Sequence, residues 1–101
     1  MTVHGNSNQN NKPHHLYAIY DKERDEVFKY GISHDPIDAD GLSDRLRNQI
    51  NFINLVVDWS RFHGKILIIN IKGKEKAKVL ETQFINTFEE QFGKNPRGNL
   101  E

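Results

Sequence analysis

HHLYAIYDKERDEVFKYGIS, residues 14–33, decides the fold. Two short aromatic runs, residues 16–20 and 27–33, flank residues 21–26, every one of which is charged. Strand formers on both sides of a short charged connection predict a β-hairpin. Side chains alternate across a strand, so Tyr17 and Ile19 share one face, while Lys29 and Gly31 lie opposite to Phe28, Tyr30 and Ile32. A glycine inside a strand marks close approach by another group, which singles out Gly31. Taken one at a time, Tyr17, Tyr20 and Tyr30 read as half-buried strand aromatics.

Downstream of the hairpin, residues 34–44 (HDPIDADGLSD) carry Pro36 and Gly41, and Ser43 or Asp44 can cap a helix with apolar residues at Leu46, Ile50 and Ile53. The aspartates of this loop do not fit a calcium site. With Gly41 in the sixth place of such a loop, the first and last places fall on Pro36 and Arg47, which supply no carboxylate. Residues 51–59 are ambiguous between helix end and strand, and Trp59 reads as core. Residues 65–71 (KILIINI), bounded by Gly64 and Gly73, read as a buried strand. After Gly73 the apolar spacing turns helical through Ala77, Leu80, Phe84, Ile85, Phe88 and Phe92, and Gly93 stands in the usual stop position. The order strand, strand, helix, strand, helix predicts a small α+β domain over residues 14–101. Residues 1–13, mostly Asn, Gln, Ser and Gly, read as a polar tail or linker.

Composition bounds the function classes. A chain of 101 residues, 36% hydrophobic and 28% charged, supports one small globular core. Cysteine is absent, which excludes disulfides, thiolate metal sites and cysteine nucleophiles. No apolar run approaches a membrane span, and the first residues lack the basic start and apolar centre of a secretory signal, so no export address is expected in this chain. Fourteen basic residues balance fourteen acidic ones. The charge is unevenly placed: Asp35, Asp38, Asp40 and Asp44 crowd one loop, whereas Arg61, Lys65, Lys72, Lys74, Lys76 and Lys78 crowd another segment. One side could therefore take a polyanion.

One residue breaks the amphipathic pattern. At about 100° per residue the six apolar residues of the last helix fall in an arc of roughly 140°, and Glu81 falls inside it. The other acids of the helix lie outside. An ionised carboxylate among phenylalanines costs several kcal/mol unless a cation, an arginine or several hydrogen bonds offset it. Both a functional cation and a structural Arg or Lys pair satisfy that requirement.

Leu16-Tyr17, then Lys29-Tyr30-Gly31, Arg45-Leu46 opening a helix, Glu81 inside a later helix, and Asn95-Pro96-Arg97-Gly98-Asn99 together resemble the GIY-YIG (URI) nuclease superfamily. More narrowly, the chain is similar to the URI-fold nuclease domains at the C-termini of bacterial polymorphic toxins. The residues Val3-His4-Gly5-Asn6-Ser7 with Lys12-Pro13 resemble the stretch that often precedes them. The resemblance implies a three-stranded antiparallel sheet flanked by helices and metal-assisted hydrolysis of a phosphodiester bond. It implies catalytic roles for Tyr17, Arg45, Glu81 and Asn99, with Glu81 as ligand of a divalent metal, Mg²⁺, and Lys29 joins the expected catalytic set from the position where the family carries a tyrosine. Gly31 matches the family glycine. Tyr30, His34, Arg47 and Arg61 complete the expected substrate-binding set.

Lys29 departs from the pattern, because the family carries tyrosine two positions before that glycine. Tyr30 points to the other face and cannot replace it. Lys29 could hold or deprotonate the attacking water, stabilise the scissile phosphate as a cation, or mark a weakened site. A toxin domain further implies a nucleic-acid target, DNA ahead of RNA, a cognate immunity protein, and export within a larger protein that acts in the target-cell cytoplasm. The rival reading is a non-catalytic nucleic-acid binding domain that uses the basic residues 72–78, with Glu81 salt-bridged.

Overall fold

The computed structural model describes residues 12–99. Strands β1 (Pro13–Asp21) and β2 (Glu26–Ser33) form the hairpin, followed by helix α1 (Asp44–Val57), strand β3 (Phe62–Lys72) and helix α2 (Lys74–Phe92). The sheet is antiparallel in the order β2-β1-β3, which makes β1 the central strand. This is the expected α+β domain with a three-stranded antiparallel sheet. Strand β1 begins at Pro13, so the last residue assigned to the tail opens it; residues 1–11 of the expected tail lie outside the described residues.

The alternation of β1 sends its side chains into two cores. Tyr17 and Ile19 pack with Leu46, Ile50 and Phe62 under α1, while Leu16 packs with Ile71 and Ala77 under α2. Leu16, Ile19 and Leu46 are essentially inaccessible, and each such side chain contributes roughly 1.5–3 kcal/mol through burial. Ser43 caps α1, its hydroxyl accepting from the Leu46 N–H, and α1 runs through Val57 to a left-handed Asp58. That settles residues 51–57 of the ambiguous stretch as helix. Asn54 then ties α1 to β3, its side chain accepting from the Phe62 N–H and donating to the Phe62 carbonyl.

Five expectations change. A bulge opposite Ile19 and Tyr20 inserts Phe28 as an extra residue, which turns it to the α1 side with Lys29, against Phe62 and the Tyr17 core. The residues KILIINI belong to an edge strand and are only half-buried, with Ile69 57% exposed, because among the described residues nothing pairs beyond β3. Gly64 lies inside β3 rather than at its boundary: a Cβ there would press on the Ile50 and Leu46 methyls, so α1 can sit close to the strand only over glycine. Trp59 is 48% exposed, because it follows the Asp58 stop on the connection to β3, off both packed faces. Phe92, at the end of the α2 arc, is likewise exposed past the sheet.

Candidate active site

Tyr17 and Gly31 face each other across β1 and β2, and the phenol ring occupies the space over the glycine. A Cβ on Gly31 would overlap the ring and hydroxyl of Tyr17. The close approach expected at Gly31 is therefore made by the candidate catalytic tyrosine itself. Tyr17 is 1% exposed, and its hydroxyl accepts a 2.8 Å hydrogen bond from Gln49 Nε2. Gln49 Oε1 accepts in turn from Lys29 Nζ at 3.1 Å.

The direction of this chain is dictated by its cationic end. A lysine ammonium only donates, so it must meet the amide oxygen, which leaves the amide NH₂ for Tyr17. The phenol oxygen is then an acceptor towards Gln49, and its own hydrogen is left to point away from that bond. Gln49 lies one turn beyond Arg45 on the same face of α1. Its position on that face was legible in the sequence, but its role as the bridge between Tyr17 and Lys29 was not, since only the fold brings those two side chains to it.

Arg45 and Glu81 line one pocket of about 350 Å³ with His14, Ile32, Ser33, His34, Asp35, Lys74 and Lys78. The first turn of α1 supplies Arg45, whose backbone N–H donates to Asp35 Oδ2. The first three turns of α2 supply Lys74, Lys78 and Glu81. Burial pushes the Glu81 carboxyl above the usual carboxylate range, opposed by the charges of Lys29 and Lys78. Among the described residues, the Glu81 carboxylate has no ion-pair or hydrogen-bond partner, so the structural pair weighed for it is not made. Its proximity to Lys29 links the pocket to the Tyr17–Gln49–Lys29 chain.

Asn99 takes a supporting position beside this group. Its side-chain oxygen accepts from the Tyr30 N–H at 2.8 Å and its NH₂ donates to the Tyr30 carbonyl at 2.9 Å. With the Gly98 N–H donating to the Phe28 carbonyl, residues 98–99 pair with the outer edge of β2 on either side of Lys29. Gly98 is close-packed against Phe28 and the Lys29 Cβ. The C-terminal segment thus covers an otherwise open strand edge and fixes the backbone that carries Lys29.

The remaining expected residues stand apart from the Arg45–Glu81 pocket, except His34, which lines it against His14, ring centroids 5.5 Å apart. Tyr30 is on the α2 side, edge-on to Phe84, and burial raises its phenol above the ordinary range. Arg47 is held by Asp38, Asp40 and Asp44, which gives the acidic loop its use. Arg61 is paired with buried Asp21 through Nε and Nη2, both at 2.8 Å, at the opposite end of β1.

No helix among the described residues is long and apolar enough to cross a membrane. No curated protein and no solved structure matches the chain. The family model described as URI fold toxin 2 matches residues 7–93, which takes in the hairpin, both helices and every residue of the Tyr17–Gln49–Lys29 and Arg45–Glu81 groups. The chain belongs to the URI fold toxin 2 family.

Proposed function

We propose that this toxin domain is a metal-dependent endonuclease of GIY-YIG type that hydrolyses phosphodiester bonds, in DNA ahead of RNA. The observation that carries the reading is a half-buried carboxylate, Glu81, that makes no hydrogen bond or ion pair among the described residues, in one pocket with Arg45 and beside the Tyr17–Gln49–Lys29 chain.

The donor set fits a hard divalent ion. Glu81 offers a carboxylate oxygen whose burial disfavours the unneutralised charge, and among the described residues no group of three or more His, Cys, Asp or Glu side chains forms a complete protein cage. A single carboxylate, with water and phosphate oxygens as the other ligands, is how Mg²⁺ is commonly held. When bound, the ion would neutralise charge on the scissile phosphate and its leaving oxygen.

The protein side chains then have separable tasks. Tyr17, its oxygen engaged by Gln49, turns its hydrogen towards the attacking water, and Lys29 holds that water from the same face. Arg45 stabilises the negative charge that builds on the non-bridging oxygens. Gly31 provides the space that Tyr17 occupies, and Asn99 positions β2. Membership of a toxin family supports reading the domain as one delivered within a larger exported toxin and held in check by a cognate immunity protein.

Incubation of the purified domain with plasmid DNA and with total RNA, in Mg²⁺ and in EDTA, tests the reading. Cleavage in Mg²⁺ that EDTA abolishes is the expected result. Intact substrates in every tube would contradict it, and salt-sensitive binding without cleavage would favour the non-catalytic nucleic-acid binding domain instead.

A further inference from the structure

Besides Arg45, the Arg45–Glu81 pocket is lined by two further cations, Lys74 and Lys78, that the hydrolysis as described does not use. Arg45, Lys74 and Lys78 face Asp35 and Glu81 within it, with the His14 and His34 rings along one wall. Asp35 is already engaged, one oxygen accepting from the Arg45 N–H. Lys74, Lys78 and Glu81 follow one another at helical spacing on one stripe of α2. Along the helix axis Lys78 lies about 4.5 Å and Lys74 about 10 Å from Glu81. The stripe therefore runs from the proposed metal ligand outward, towards the beginning of β1 and the end of β2. This concentration of cations belongs to a chain whose formal net charge is zero.

We propose that Lys78 and His34 bind the phosphate of the nucleotide next to the one cleaved, so that the domain requires a strand with at least two consecutive phosphates. This rests on the nuclease reading, with Arg45 and Glu81 serving the scissile phosphate. A phosphodiester fits the pocket chemically. It accepts from ammonium and imidazole donors together, and each contact with an ionised phosphate oxygen is charge-assisted. The contacts reach the backbone of the strand and carry no base information. Lys78 and His34 thereby fix the side on which the substrate continues past the cut.

Trinucleotides labelled at the 5′ end, in deoxythymidine and uridine versions, test this. One of each carries both ionised linkages, and two carry a neutral methylphosphonate at the first or the second linkage. Binding is measured by fluorescence anisotropy at low salt in EDTA, on Glu81→Gln protein and on Glu81→Gln with Lys78→Gln or His34→Ala added. Neutralising one particular linkage is expected to weaken binding about tenfold in the parent, with Lys78→Gln causing a similar loss and making that linkage indifferent. His34→Ala is expected to give a smaller loss at the same linkage.

An equal methylphosphonate penalty with and without Lys78, no penalty at either linkage, or no binding of any trinucleotide overturns the proposal. Cleavage of longer strands by the wild-type domain is measured alongside. Cleavage without the coupling removes the second phosphate site alone. Coupling without cleavage leaves the phosphate site standing and removes the nuclease reading.

Discussion

Gly31→Ala is the most informative single substitution, because it adds one methyl group where the structure has no room for it. That methyl would overlap the ring and hydroxyl of Tyr17, a side chain that is 1% exposed and walled in by Ile19, Leu46, Ile50 and Phe62. Overpacking of this kind costs about 1–3 kcal/mol. In a domain of this size each kcal/mol lowers the midpoint by about 4–8 °C. The ring can yield only by leaving its 2.8 Å bond to Gln49, and a displacement of about 1 Å at a catalytic group costs about 100-fold in rate. Thermal unfolding and cleavage of a labelled oligonucleotide should therefore both fall. The cause is isolated by a double-mutant cycle: in a Tyr17→Ala background the same methyl meets no ring, and its penalty should vanish. An unchanged midpoint in Gly31→Ala, or an equal penalty with and without the Tyr17 ring, would refute the reasoning.

Gln49→Glu preserves the size of the bridge but replaces its donor by a second acceptor, which forces the Tyr17 hydrogen inward; cleavage should drop at least tenfold with the melting temperature held or raised, and a wild-type rate would contradict the direction assigned to the chain. Arg61→Ala leaves the buried Asp21 carboxylate with only the Glu23 and Arg24 N–H donors and should lower the urea midpoint, whereas an unchanged midpoint would mean that the pair is dispensable. Chiefly through the Arg61 hydrogen bonds, Asp21 is held below its ordinary 3.8, so its contribution is complete above that pH and disappears as pH falls through the lower folded value; Arg61→Ala should flatten stability against pH in that acid window. Burial holds His15 below the ordinary 6.5, so its neutral ring favours folding fully above that pH and the benefit fades as pH falls towards the folded value. Urea midpoints at pH 7.5 and 5.5 should therefore converge in His15→Gln relative to wild type, and an unchanged difference would exclude this group.

The elements of this fold were legible because their signals are local. The charged turn between two aromatic runs, the Ser43 cap, the 3.6-residue spacing of α2 and the Gly93 stop each sit within a few residues of what they determine. Glu81 was legible for the same reason, as an acid inside an apolar arc. What escaped the sequence depends on contacts between elements. Phe28 changes face through a bulge set by its pairing with β1, and Gly64 is placed by Ile50 and Leu46 of α1 rather than by a turn. The exposure of Ile69 follows from the position of β3 at the sheet edge, which no local pattern encodes. Gln49 could be placed on the face of Arg45, but its two partners come from two strands. The ion pairs of Arg47 and Arg61 were hidden likewise, since each forms across a loop or a sheet end.

The central claim is that Glu81 makes no hydrogen bond or ion pair among the described residues because it serves a metal in phosphodiester hydrolysis. Its most direct test is the cleavage rate of wild type and Glu81→Gln measured side by side in Mg²⁺, on samples shown to be folded by circular dichroism. The account predicts at least a thousandfold loss in Glu81→Gln, in line with the removal of about 4 kcal/mol of transition-state stabilisation, at a melting temperature equal to or above that of wild type. Equal rates in the two proteins would contradict it.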